Sequence, residues 1–181
     1  AKNNYLEKLE ESPPRRMSKL TFEAATQGRE GSDYYRGINR ARSAGYPYCL
    51  VAKGKGKTDW FGTDEWIVNE KTIELRKTIE EQIRQMEQGI VQEYIFLDTL
   101  KDETRPIEKV AAGKTRVFAA APMDFIIVFR MYYLDFLVYM MENRIYNESA
   151  VGIRTQSDEW TTLYNRLKLN GDRVVAGDFS N

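Results

Sequence analysis

No histidine occurs in the 181 residues, and cysteine occurs once, as Cys49. The first absence excludes a histidine-based catalytic triad and histidine-ligated zinc. The second excludes an internal disulfide framework and fits a reducing compartment, with Cys49 read as a small buried apolar residue. Net charge is lacking as well, since 27 basic side chains balance 27 acidic ones. So is an apolar run of membrane length: the longest, Phe125 to Met141, falls short of the roughly 20 residues a bilayer needs and contains Arg130 and Asp135. It reads as a core helix. The opening AKNNYLEKLE has neither a signal pattern nor an initiator methionine, which suggests a processed product or an excised piece.

What is present suits a globular fold of ordinary size, with 42% hydrophobic residues to build a core. The neutral total hides segregation. Residues 29–57 carry a net charge of +5 and residues 58–100 a net charge of −6. That asymmetry predicts a basic face for a polyanion.

The pattern predicts a short helix stopped by Pro13 and Pro14, a second helix ending at Gly28, and an irregular, basic stretch over 29–58. The clearest helix follows, with Asn69 as N-cap, an apolar stripe of Leu75, Ile79, Ile83, Met86 and Ile90, and a stop at Gly89. Strand composition marks 93–101 and 114–120. Pro122 opens a long helix to about Arg144, another helix starts at Ser157 with Gly171 beyond its end, and RVVAGDFSN reads as a closing strand.

The segment KDETRPIEKVAAGKTR, 101–116, concentrates Lys101, Arg105, Lys109, Lys114 and Arg116. Pro106 and Gly113 argue against a continuous helix. On an extended segment Lys101, Arg105 and Lys109 share parity and project from one side, with Lys114 and Arg116 arriving after a bend, which makes a basic finger. A P-loop needs a glycine five residues before its Gly-Lys-Thr. Glu108 stands there, and Val51 holds that place before the other Gly-Lys-Thr at Gly56, Lys57 and Thr58.

Four stretches in order carry a resemblance: SAGYPY (Ser43 to Tyr48) with the lysine-rich KGKGK behind it, the basic finger, SAVG (Ser149 to Gly152) ahead of DEW, and the terminal GDFSN. Together they resemble the RNA-dependent RNA polymerases of picornavirus-like positive-strand RNA viruses, over about residues 20–181. The finger departs from that family's usual motif in having Thr104 where leucine is customary. The Phe-Ser-Asn after Asp178 leans toward the insect-infecting iflavirus and dicistrovirus types.

The resemblance implies an α+β fold: a mainly helical fingers subdomain of a right-hand polymerase, with a small β component. Fingers would span 1–172, including a basic loop at 29–57 and the basic finger at 101–118. The palm would begin at 173–181 with the first strand of its first motif. Lys101, Arg105, Lys109, Lys114 and Arg116 would hold the nucleotide triphosphate or nearby RNA phosphates, with Asp102, Glu103 and Glu108 either orienting them or simply solvated. Arg42, Lys53, Lys55 and Lys57 would contact RNA. Asp178 would be a catalytic, metal-holding carboxylate for Mg²⁺ in two-metal nucleotidyl transfer.

The family pattern then calls for a second aspartate two residues past Asn181, so this chain alone is expected to be inactive. Its partners would be RNA template and primer, nucleoside triphosphates, and the palm and thumb of the same polypeptide. It would act in the host cell cytoplasm, with self-association of the isolated chain as a further expectation. Composition alone favours a different class, a non-catalytic RNA-binding module in which Tyr46, Tyr48 and Trp60 stack on bases. A third reading is a scaffold that acts only when joined to the palm.

Overall fold

The computed structural model describes residues 15–169, 171, 173 and 175–178. These form two compact units, one of residues 18–135 and the other of residues 136–178 with 15–17. The division falls inside a helix. The expected helix before Pro13 lies outside the described residues.

In the larger unit, α1 (Phe22–Gln27) starts at Thr21, whose side chain accepts from the Ala24 amide, and ends at Gly28. Two single-turn helices, α2 (Tyr48–Val51) and α3 (Thr58–Phe61), punctuate the stretch read as irregular. α4 (Glu70–Glu87) opens with a capping box in which Asn69 and Thr72 exchange side-chain to backbone hydrogen bonds. It closes with the Gly89 amide on the Met86 carbonyl and the Ile90 amide on the Gln85 carbonyl, a Schellman stop. Ile90 is therefore past the helix and half exposed, so the core stripe expected from sequence stops short of it.

Only four residues of each expected strand pair, as β1 (Leu97–Leu100) and β2 (Val117–Ala120), antiparallel with Leu97 opposite Ala120 and Leu100 opposite Val117. Upstream of β1 there is no partner strand among the described residues. Tyr94 and Phe96 turn instead onto Phe125, meeting its ring edge-on at 5.0 and 5.1 Å.

Between the strands lies α5 (Ile107–Ala111), where sequence predicted an extended run. Pro106 stands at its N-cap, a position where a missing amide breaks no helical bond, so the proline starts a helix rather than blocking one. Lys109 is consequently helical. The helix ends in a second Schellman motif: Lys114 donates to the Lys109 carbonyl at 2.8 Å and Gly113, at φ +67°, to that of Val110 at 3.0 Å. The Gly-Lys-Thr of the finger is thus split by a helix stop.

α6 (Met123–Glu142) carries the long apolar run. Its buried residues Met123, Ile127, Met131, Leu134 and Val138 recur at helical spacing, and the first three share one core with Leu75, Ile79 and Ile83 of α4 and with Phe22, Trp60 and Phe61. Each such side chain contributes about 1.5–3 kcal/mol when fully buried. The charges inside this run are anchored. Arg130 donates from Nε to the Ala25 carbonyl at 2.6 Å, and Asp135, 2% exposed, accepts the Ser18 amide at 2.7 Å and the Tyr35 hydroxyl.

In the smaller unit, α7 (Glu159–Lys168) begins two residues after Ser157. Glu159 draws the loop in, accepting the Arg154 amide and the Ser157 hydroxyl, both at 3.0 Å, and pairing with Arg144. Arg173 and Val175–Asp178 form no strand, and the remaining residues of the expected closing strand lie outside the described ones.

Candidate phosphate-binding site

The hairpin of β1 and β2 brings the two ends of the basic finger together, continuing beyond the strands with the Lys101 amide on the Arg116 carbonyl at 2.9 Å. Glu103 sits at this neck. Arg116 donates from Nε to Glu103 Oε1 at 2.7 Å and from Nη2 to Oε2, Lys101 Nζ lies 3.3 Å from Oε2, and Arg105 Nε lies 2.8 Å from Oε1. The Arg116 hydrogen bond, aided by Lys101 and Arg105, holds the Glu103 carboxyl at about 2, well below its ordinary value. Arg105 Nε is buried, and although close to Glu103 it has no aligned acceptor among the described residues.

Three of the five expected cations therefore surround one carboxylate. The other two, Lys109 and Lys114, are exposed at the far end of the finger on α5 and its cap, with no ion pair among the described residues. Of the acidic neighbours, Glu103 is the one that orients cations. Asp102 and Glu108 are exposed and unpaired among the described residues.

The basic loop divides in a comparable way. Arg42, Lys53 and Lys55 are exposed, but Lys57 is buried at 4%. Its ammonium donates to the carbonyls of Ser43, Arg42 and Asn39 at 2.7, 2.9 and 3.3 Å. The expectation that Lys57 contacts RNA is corrected on this point: its donors tie the loop to the segment before it. Burial pushes its amine down to about 8.

Sequence reasoning missed Asp59, whose Oδ2 accepts the Lys53 amide at 2.9 Å and meets Lys71 Nζ at 2.7 Å while Oδ1 accepts the Gly54 amide at 2.7 Å. An acidic residue closing a glycine-lysine repeat was the signal for it. The stacking aromatics also need correction. Trp60 is 4% exposed, and Tyr48 packs edge-on against it at 5.9 Å, with burial and nearby Asp124 pushing its hydroxyl upward.

Asp178 is exposed. Among the described residues no group of three or more acidic, cysteine or histidine side chains could hold a metal ion. One aspartate does not fix an ion, so these residues alone do not form a magnesium site. No helix among them is long and apolar enough to cross a membrane.

The model of the viral RNA-dependent RNA polymerase family matches residues 1–181. The chain belongs to that family. It is 48% identical over 165 residues to the replicase polyprotein of Cricket paralysis virus, covering 90% of this chain and 9% of that polyprotein. It is 41% identical over 182 residues to that of Drosophila C virus, covering 99% of this chain and 10% of the polyprotein. Among solved structures, the sicinivirus 3Dpol RNA-dependent RNA polymerase superposes with a TM-score of 0.66 at 28% identity, over 90% of this chain and 32% of that one.

The chain thus spans about a tenth of these polyproteins and a third of the solved polymerase. The dicistrovirus relatives agree with the insect picorna-like affinity read from Phe-Ser-Asn. The mixed helical architecture with one small sheet is consistent with the fingers region of a right-hand polymerase. The family works on RNA and nucleotides and requires a divalent metal.

Proposed function

We propose that this polymerase chain supplies phosphate contacts for template-directed nucleotidyl transfer, with Lys101, Arg105 and Arg116 meeting the incoming triphosphate and Lys109 and Lys114 meeting the triphosphate or nearby RNA phosphates. The observation that carries this reading is the neck of the finger, where one carboxylate gathers three cations into one cluster. Phosphoryl chemistry asks the protein mainly for positioning and charge neutralisation, and the fork of arginine suits phosphate. Arg42, Lys53 and Lys55 would contact template RNA. Asp178 would give one carboxylate to a magnesium site whose other ligands are not among the described residues. The parent enzyme would act in the host cytoplasm on RNA template, primer and triphosphates, with its palm and thumb as the finger's partners.

The test is nucleotide binding by the chain, measured by fluorescence anisotropy with labelled nucleoside triphosphate and monophosphate. Preference for triphosphate should fall by about tenfold or more in Lys101→Ala/Arg116→Ala, each charge-assisted hydrogen bond contributing roughly 1.5–3 kcal/mol. Equal affinity for both nucleotides, unchanged in the variant, would favour the general RNA-binding module and overturn the assignment.

A further inference from the structure

The lysine-rich loop is held between two ions of opposite sign. On its inner side the Lys57 ammonium fills three carbonyls, and the Lys57 amide donates to the Arg40 carbonyl at 2.6 Å. On its outer side the Asp59 carboxylate fills the amides of Lys53 and Gly54, while the Lys55 carbonyl takes the Thr58 hydroxyl at 3.0 Å. Lys71 Nζ and the Asn69 side-chain amide, the latter donating to the Asp59 carbonyl at 2.8 Å, fasten this arrangement to the start of α4. What remains outside the lock is a pair of exposed side chains, Lys53 and Lys55, one on either side of Gly54.

We infer that Asp59 is a positioning residue for RNA binding: its carboxylate fixes the backbone from which Lys53 and Lys55 reach the phosphates. This rests on the reading of the basic loop as an RNA contact. The lock acts through shape and against its own charge. An anion beside a phosphate-binding loop repels RNA, so if Asp59 mattered through charge alone, neutralising it would tighten binding. If it holds the loop, neutralising it weakens binding, because two long side chains must then be ordered on a backbone no longer fixed. The two readings differ in sign.

Gly54 gives a second approach without any change of charge. A Cβ there would lie 2.6 Å from Asp59 Oδ1 and 2.6 Å from the Thr58 hydroxyl oxygen, so Gly54→Ala displaces the carboxylate from the amide it caps.

The experiment is binding of a short single-stranded RNA to the 181-residue chain across a salt series, for wild type, Asp59→Asn, Gly54→Ala and Lys53→Ala/Lys55→Ala, each checked for a cooperative melt well above the assay temperature. Asp59→Asn and Gly54→Ala are each expected to weaken binding by about two- to tenfold, the cost of ordering a rotamer-rich side chain on a loosened loop. The log-log salt slope should become shallower by about 0.7 for each phosphate no longer engaged. A variant that merely lowers the folded fraction would shift affinity with the slope unchanged, and that result overturns the inference. So does tighter or unaltered binding in Asp59→Asn while Lys53→Ala/Lys55→Ala weakens it, an outcome that leaves the RNA-contact reading standing. No weakening in the double lysine variant removes that reading and this inference together.

Discussion

The guanidinium of Arg116 meets the carboxylate of Glu103 with two nitrogens at once, Nε on Oε1 at 2.7 Å and Nη2 on Oε2. A fork on a carboxylate fixes both planes, so the pair sets the direction of Arg116 as well as its position. Because Glu103 also gathers Lys101 and Arg105, its ionisation governs the neck of the finger.

The first prediction concerns that ionisation. The Glu103 carboxyl is lowered from 4.5 to about 2 by the Arg116 hydrogen bond, with Lys101 and Arg105 adding to it. A depressed acid contributes stability that is present above its unfolded value and lost as the pH falls through the folded one. The difference in melting temperature between wild type and Glu103→Gln should therefore be constant from neutrality to about pH 5 and close between 4.5 and about 2. Carbon-detected NMR of the Glu103 carboxyl should show its midpoint near the lower value. A midpoint at the ordinary value would mean that the cations are not gathered in solution.

Much of the architecture was legible because local rules and packing agree. Asn69, the stripe from Leu75 to Ile83 and Gly89 delimit α4 in sequence as they do in structure. The finger was harder to read because Pro106 has opposite meanings inside a helix and at its start, and a neighbouring sequence does not say which applies. The roles of Glu103 and Asp59 depend on backbone groups and cations brought together by folding. Composition counts lysines equally, whereas burial separates Lys57 from Lys53 and Lys55.

A second prediction separates two apolar residues that sequence assigned to one stripe. Ile83 is 7% exposed in the core and Ile90 is 50% exposed beyond the helix stop. Ile83→Ala should lower unfolding free energy by about 2–5 kcal/mol in urea titration, through forfeited transfer energy and the cavity left behind. Ile90→Ala should change it by no more than about 0.5 kcal/mol. Comparable effects would show that the helix continues through Gly89.

The two Gly-Lys-Thr sequences yield a third. Gly113, at φ +67°, has nothing within 4 Å of where a Cβ would stand, so Gly113→Ala meets only the conformational penalty, about 1 kcal/mol. Gly56, at φ +64°, would bring its Cβ within 2.5 Å of the Arg40 and Arg42 carbonyl oxygens. Those are backbone atoms held by Lys57, and Gly56→Ala should cost at least about 2–3 kcal/mol. Urea denaturation of both variants decides it, and equal effects would argue against the close approach at Gly56.

Lys57 itself gives the fourth, where burial and hydrogen bonding act in opposite directions. Three carbonyls favour the ammonium, yet burial lowers the amine from 10.5 to about 8. The unfolded chain keeps this proton up to the higher value, while the folded chain begins to release it at the lower one. Between them the unfolded state binds more protons, so this group's contribution to stability rises with pH. Below about 8 both states are protonated and the contribution is flat. Lys57→Met leaves the carbonyls without their donor and should cost about 1–3 kcal/mol at neutral pH. The advantage of wild type over that variant should grow from pH 8 toward 10.5, as read from chemical denaturation at each pH. RNA binding follows the same lock: Lys57→Met unfastens the inner side of the loop and should flatten the log-log salt slope as Asp59→Asn does, whereas Arg42→Ala should make it shallower by about 0.7 through loss of a single contact. An unchanged slope in the Lys57 variant, with its fold intact, would show that the loop keeps its shape on the outer Asp59 contacts alone.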